Sequence, residues 1–221
     1  MDIQPRLLRL GVNPHGRDFV IGDIHGCVTA MQRQLQSIGF DERRDRLICV
    51  GDLIDRGPDS RRAFDLLAQP WFYSVIGNHE HLFVSAMREG HAEHREVFLN
   101  NGGDWVMHYP ERWHEWFTLI EQLPLAIELE NHQGEHIGVI HADYPLADWQ
   151  DFAQMSYHDA ERAIWAREAF RQRETYTVKG IDWLIYGHNV TRHELRLGNR
   201  LYIDGGAYLG NDFIIKNIDE L

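Results

Sequence analysis

Thiols are scarce. Two cysteines, Cys27 and Cys49, in 221 residues exclude both a disulfide framework and a thiolate-rich metal site. Cys49 lies in an apolar strand pattern and reads as a small core residue, while Cys27, beside a polar motif, reads as a bystander. Positive charge is also short. Against 34 Asp and Glu stand 22 Lys and Arg, for a net charge of −12. That argues against a broad nucleic-acid-binding face, which needs a basic patch. No apolar run approaches a membrane span, and Met1-Asp2-Ile3-Gln4-Pro5-Arg6 lacks the apolar core of a signal peptide. The expectation is a cytoplasmic protein with no membrane partner. Histidine, by contrast, is plentiful at 14, which raises the question of metal without answering it.

The hydrophobic pattern gives the order of elements. Residues 1–16, with Pro5, Pro14 and Gly16, read as an irregular lead-in to one domain spanning 1–221. A buried strand follows, about Arg17 to Ile21. Val28, Met31, Leu35 and Ile38 recur at spacings of three and four, as on the apolar face of a helix, and Gly39 ends it. Leu47-Ile48-Cys49-Val50 is a second strand, Ser60 to Ala68 a second helix, and Phe72-Tyr73-Ser74-Val75-Ile76 a third strand. Strand–helix–strand alternation predicts right-handed parallel crossovers, with active groups at the carboxyl ends of the strands. From Glu80 to about Leu123 the pattern is helical, broken at Gly90 and at Asn101-Gly102-Gly103. Trp105, Trp113, Trp116 and Phe117 read as packing. A hairpin is predicted around Gln133-Gly134, then a helix from His158 to Arg171, a strand Trp183 to Tyr186, a hairpin Leu195 to Ile203 and a closing strand Phe213 to Ile218.

Five buried runs end in metal-ligand residue types: Gly22-Asp23-Ile24-His25-Gly26, Gly51-Asp52-Leu53-Ile54-Asp55-Arg56-Gly57, Gly77-Asn78-His79-Glu80, His141-Ala142-Asp143 and Gly187-His188-Asn189. Each alone is an ordinary turn. Together they crowd carboxylates, an amide and imidazoles at one rim of a sheet, where cations would offset the cost.

This ordered set resembles the signature of metallophosphoesterases of the phosphoprotein phosphatase type, in their compact bacterial and phage branch. The resemblance runs from about Asp18 onward and takes in Trp165-Ala166-Arg167-Glu168 and Tyr202-Ile203-Asp204-Gly205-Gly206. It implies an α/β fold, a calcineurin-like β-sandwich flanked by helices. It also implies two divalent ions, Mn²⁺ first and Fe, Zn, Ni or Co as alternatives: one held by Asp23, His25 and Asp52, the other by the shared Asp52 with Asn78, His141 and His188. With two of these ligands charged, two divalent ions leave about +2 at the centre. Arg56 and Arg167 would bind the substrate phosphate, and His79, oriented by Asp55, would protonate the leaving group while water attacks directly.

The implied substrates are phosphorylated proteins or peptides carrying phosphoserine, phosphothreonine or also phosphotyrosine, with no nucleic-acid partner. A bis-nucleoside tetraphosphate hydrolase uses the same motifs and is the first alternative. A phosphodiesterase and a non-catalytic metal-dependent binding module are the others. Two positions depart from the family pattern: Ala166 where Asn is frequent, and Asn189 where Thr is common. His91 and His94 read as solvated, and surface is the default for His15, His81, His108, His114, His132, His136, His158 and His193.

Overall fold

The computed structural model describes residues 3–221. Two sheets face each other. One has the order β10-β2-β3-β4, and is formed by β2 (Asp18–Ile21), β3 (Arg46–Cys49), β4 (Phe72–Ser74) and β10 (Ile215–Asn217). The other comprises β1 (Leu7–Leu10), β5 (Ala126–Glu130), β6 (His136–Ile140), β7 (Trp183–Tyr186), β8 (Leu195–Leu197) and β9 (Arg200–Tyr202), in the order β1-β5-β6-β7-β9-β8. β2, β3 and β4 run parallel, as do β6, β7 and β9, so each set opens its carboxyl ends toward the same side as its neighbours.

Strand periodicity divides the core. Val20, Ile48, Ile127, Leu129, Ile137, Val139, Ile185 and Leu201 meet between the sheets in one apolar cluster. Their chain neighbours Phe19, Ile21, Leu47, Cys49, Ala126, Ile140, Leu184 and Tyr186 point the other way, into a cluster shared with the helices. Successive strand residues face opposite sides, so strands buried on both faces read as continuous apolar runs rather than alternating ones. Helices α1 (Val28–Ser37) and α2 (Ser60–Leu66) bridge β2 to β3 and β3 to β4, as the pattern predicts.

Several expectations are corrected. The segment 1–16 is not wholly irregular: Leu7–Leu10 pairs in parallel with β5, an edge strand whose partner lies more than a hundred residues away and leaves no local signal. Met1 and Asp2 lie outside the described residues. The helical stretch breaks where expected, between α3 (Asn78–Met87) and α4 (Ala92–Phe98) around Gly90 and again in a distorted turn over Leu99–Gly103, but then runs through two 3₁₀ segments before α5 (Trp113–Glu121). The helix expected from His158 to Arg171 is split into α6 (Tyr157–Trp165) and α7 (Glu168–Arg171), because Ala166 is extended at φ −68°, ψ 141°. Arg167 therefore stands at the junction and not on a helix face. His81 is buried against α4 and Trp165 instead of lying on the surface, whereas the other histidines of that group are exposed. His94 is half-buried, with Nδ1 2.5 Å from Ser85 Oγ.

Candidate metal centre

Every motif sits where a strand ends. Asp23 follows β2, Asp52 follows β3, Asn78 opens α3 after β4, His141 follows β6 and His188 follows β7. All five are at most 5% exposed, and so is His25. Crowding them requires backbone that approaches closely. A Cβ at Gly187 would stand 1.9 Å from Asp23 Oδ1, and one at Gly77 would stand 2.2 Å from Asp52 Oδ1, so glycine before these residues is a steric necessity. His25, Asp52 and His188 themselves take left-handed backbone, with φ of 42°, 48° and 62°, a conformation unusual for such side chains.

Asp52 is the hub. Its Oδ2 lies 3.5 Å from both His25 Nε2 and His141 Nε2, and 4.0 Å from His79 Nε2. Its Oδ1 accepts the His79 backbone N–H at 3.0 Å. Two overlapping groups could hold an ion: His25, Asp52 and His79, and Asp52, His141 and His188. Asp23 Oδ2 stands 3.9 Å from His25 Nε2, at the edge of the first group, and Asn78 Oδ1 stands 3.0 Å from His141 Nε2, inside the second.

Hydrogen bonding fixes which ring nitrogens are free for a cation. His25 Nδ1 faces the Ile54 carbonyl at 3.0 Å and His141 Nδ1 faces that of Val50 at 2.8 Å, so both donate from Nδ1 and carry their lone pair on Nε2, where that of His25 meets Arg56 Nη1 at 2.7 Å. His188 is reversed: Nε2 donates to the Trp165 carbonyl at 3.3 Å, and Nδ1 is buried without a hydrogen-bond partner. With Nδ1 turned to the Val50 carbonyl, His141 Nε2 and the Asn78 carbonyl oxygen converge at 3.0 Å. Such an arrangement of acceptors fits a bound cation. An all-O/N donor set suits a hard or borderline divalent metal.

The electrostatics agree. Burial pushes Asp23 well above the usual carboxylate range, with the like charges of Asp204 and Asp52 adding to it. Burial would raise Asp52 too, but the imidazoles facing it, His141 and His79 foremost, outweigh it and hold that carboxyl well below its ordinary value. Burial likewise pushes His25 and His188 well below the ordinary imidazole range, leaving both neutral and able to ligate. His79 goes the other way: Asp52 and the Asp55 hydrogen bond overcome the cost of burial and raise it.

Three further polar side chains flank this hub. Asp55 Oδ2 accepts from His79 Nδ1 at 2.6 Å. Arg56 reaches His25 Nε2 at 2.7 Å and His79 Nε2 at 3.0 Å, with its guanidinium 4.5 Å from the centre of the Tyr208 ring. Arg167 donates to the His188 carbonyl at 2.8 Å and to Asn189 Oδ1 at 3.0 Å. The structure thus brings all ten predicted site residues to one face, and Asn189, one of the two departures, braces an arginine.

Four contributors were not assigned from sequence. Glu80 is fully buried and takes the backbone N–H groups of Gly77, Asp52, Leu53 and Ile54, at 2.9, 3.1, 2.8 and 3.3 Å. Burial, with the Asp52 charge next, pushes Glu80 up to about 7. Asp204, 1% exposed, is pushed up to about 6 by burial and adds a further carboxylate to the charge balance. Trp105 Nε1 donates to Asp55 Oδ1 at 2.8 Å, so this ring does more than pack. Tyr208 sits with its ring centre 5.0 Å from that of His25. Glu80 follows the ligand type Asn78 within one motif and Asp204 closes the buried run Tyr202-Ile203, and these positions are the signals that could have found them. Trp105 and Tyr208 had none, since only the folded chain brings them near.

Comparison with known proteins agrees with this geometry. The chain is 33% identical over 204 residues to serine/threonine-protein phosphatase 1 of Salmonella typhimurium strain LT2, covering 90% of this chain and 91% of that protein. A shorter stretch of 79 residues is 42% identical to the symmetrical bis(5'-nucleosyl)-tetraphosphatase of Dechloromonas aromatica strain RCB, covering 35% of this chain and 28% of that one. A crystal structure described as a candidate diadenosine tetraphosphatase superposes with a TM-score of 0.65 at 21% identity, covering 95% and 92% of the two chains, a likeness of fold alone. The family described as calcineurin-like phosphoesterase matches residues 19–192, the span that carries every strand-end motif. The chain belongs to that family.

Proposed function

We propose that this protein is a metal-dependent phosphoprotein phosphatase acting on phosphoserine and phosphothreonine, with phosphotyrosine as a further substrate. The reading rests on the extent of likeness: the serine/threonine phosphatase relative matches along nine-tenths of both chains, whereas the tetraphosphatases of Dechloromonas aromatica and Acidovorax match 35% and 68% of this one and 28% and 52% of their own length. Asp23, His25 and Asp52 would hold one ion, and Asp52, Asn78, His141 and His188 a second, Mn²⁺ being our first choice. Bound there, the pair supplies positive charge for the phosphate and a water acidic enough to attack at neutral pH.

The chain's own residues do the rest. Arg56 and Arg167 stand on opposite flanks of the hub and grip non-bridging phosphate oxygens by forked, charge-assisted hydrogen bonds. His79 holds Nδ1 toward Asp55 and faces Arg56 Nη2 with its Nε2 at 3.0 Å; with Arg56 turned to the phosphate, that Nε2 delivers a proton to the departing alkoxide. The same Asp55 contact stabilises the protonated ring.

The test is a leaving-group comparison. His79→Asn is expected to cut kcat about a hundredfold on a phosphoserine peptide, whose alkoxide needs a proton, and far less on p-nitrophenyl phosphate. Equal losses on both substrates would overturn the general-acid role.

A further inference from the structure

Asp55 and Arg56 both hold left-handed backbone, with φ of 73° and 70°. Neither is glycine, so something must hold them there. One short segment touches both. Gly102, at φ 88°, lies so close to Arg56 that a Cβ there would stand 2.8 Å from the Arg56 nitrogen. Three residues on, Trp105 Nε1 donates to Asp55 Oδ1 at 2.8 Å, while Asp55 Oδ2 takes His79 Nδ1 at 2.6 Å. The two oxygens of this fully buried carboxylate are therefore committed to two donors, one on each side.

We infer that Trp105 is a positioning residue for proton delivery: its indole N–H fixes the Asp55 carboxylate, and through it the direction in which His79 Nε2 points. A carboxylate held by one donor alone can rotate about its last bond and tilt the imidazole with it. Held at both oxygens it cannot. The indole is itself anchored, with its ring 5.3 Å from Trp116 and 6.4 Å from Phe64, centre to centre. The Leu99–His108 segment thus joins the packed aromatic cluster to the reacting groups. This assignment rests on His79 acting as the acid, as proposed above.

Trp105→Phe keeps an aromatic ring and removes the N–H. Replacing Trp105 with 3-benzothienylalanine, which exchanges only the N–H for sulfur, guards against a folding defect. Trp113→Phe is the control, since Trp113 Nε1 donates to the Val106 carbonyl at 2.8 Å within the same segment but does not touch Asp55. All are assayed on the metal-loaded full chain, after thermal melts establish folding. Both Trp105 variants are expected to lose about tenfold in kcat on the phosphoserine peptide and less than about twofold on p-nitrophenyl phosphate, the loss of one charge-assisted hydrogen bond. Trp113→Phe should lower Tm without separating the substrates. A split in His79→Asn but none in the Trp105 variants overturns the Trp105 assignment alone. No split in any variant overturns the acid role and the Trp105 assignment with it. A matching split in Trp113→Phe would make the effect general loosening of the segment, and would equally refute the inference.

Discussion

Glu80→Gln tests how the centre is built. The Glu80 carboxylate accepts four backbone N–H groups, Leu53 and Ile54 on Oε1 and Asp52 and Gly77 on Oε2. These belong to the two turns that carry Asp52 and Asn78. A glutamine side chain of the same shape offers one oxygen and one NH₂ group, so two of the four N–H groups would face another donor. Each buried donor left without an acceptor costs about 1–3 kcal/mol, so the substitution should destabilise by roughly 2–6 kcal/mol. The Asp52 turn would also move, weakening the site shared by both proposed ions. Urea unfolding at pH 8, where a carboxyl of pKa about 7 is mostly ionised, gives the first number, and Mn²⁺ titration calorimetry on metal-stripped protein the second. Unchanged stability together with unchanged Mn²⁺ affinity would refute the idea that this buried acid holds the two turns in place.

Two further outcomes follow from other parts of the molecule. Asp45 accepts from the Arg17 side chain at 2.6 Å and from the backbone of Arg17 and Asp41 at 2.9 and 3.0 Å; burial would raise its carboxyl, but these bonds outweigh it and hold it low. A depressed carboxyl contributes stability that is present above its unfolded value of about 3.9 and is lost as pH falls through the folded one. Asp45→Asn should therefore lower stability at neutral pH and flatten its fall below about pH 4, as chemical unfolding between pH 2 and 7 would read; an unchanged acid limb would contradict the assignment. Gly187→Ala places a methyl 1.9 Å from Asp23 Oδ1 and should displace that carboxylate, whereas Gly11→Ala meets nothing within 4 Å. Calorimetry should show weakened Mn²⁺ binding in the first and none of this in the second, and equal affinities would refute the steric argument.

The parts of this architecture legible in the sequence were those with local causes. β2, β3 and β4 are buried on both faces, so they read as apolar runs, and the glycines that end them are required by backbone contact at the site. The ligand types after those glycines were visible for the same reason. β1 was not, because an edge strand of four residues acquires its meaning from β5, more than a hundred residues on. The break at Ala166 was hidden as well, since alanine is an excellent helix former and nothing local forbids continuation. Yet that break is what frees Arg167 to reach the His188 carbonyl. Trp105 was read as packing because an indole's donor has no signature until its acceptor, 50 residues earlier in the chain, is folded beside it.

The central claim is metal-dependent hydrolysis of phosphoprotein monoesters, and the most direct measurement compares substrates on metal-stripped protein with and without added Mn²⁺. A phosphoserine peptide and diadenosine tetraphosphate would be offered at equal concentration. The account predicts turnover only with metal, and a kcat/KM for the peptide well above that for the dinucleotide. Preference for the dinucleotide would contradict the assigned substrate, and equal turnover without metal would contradict the centre itself.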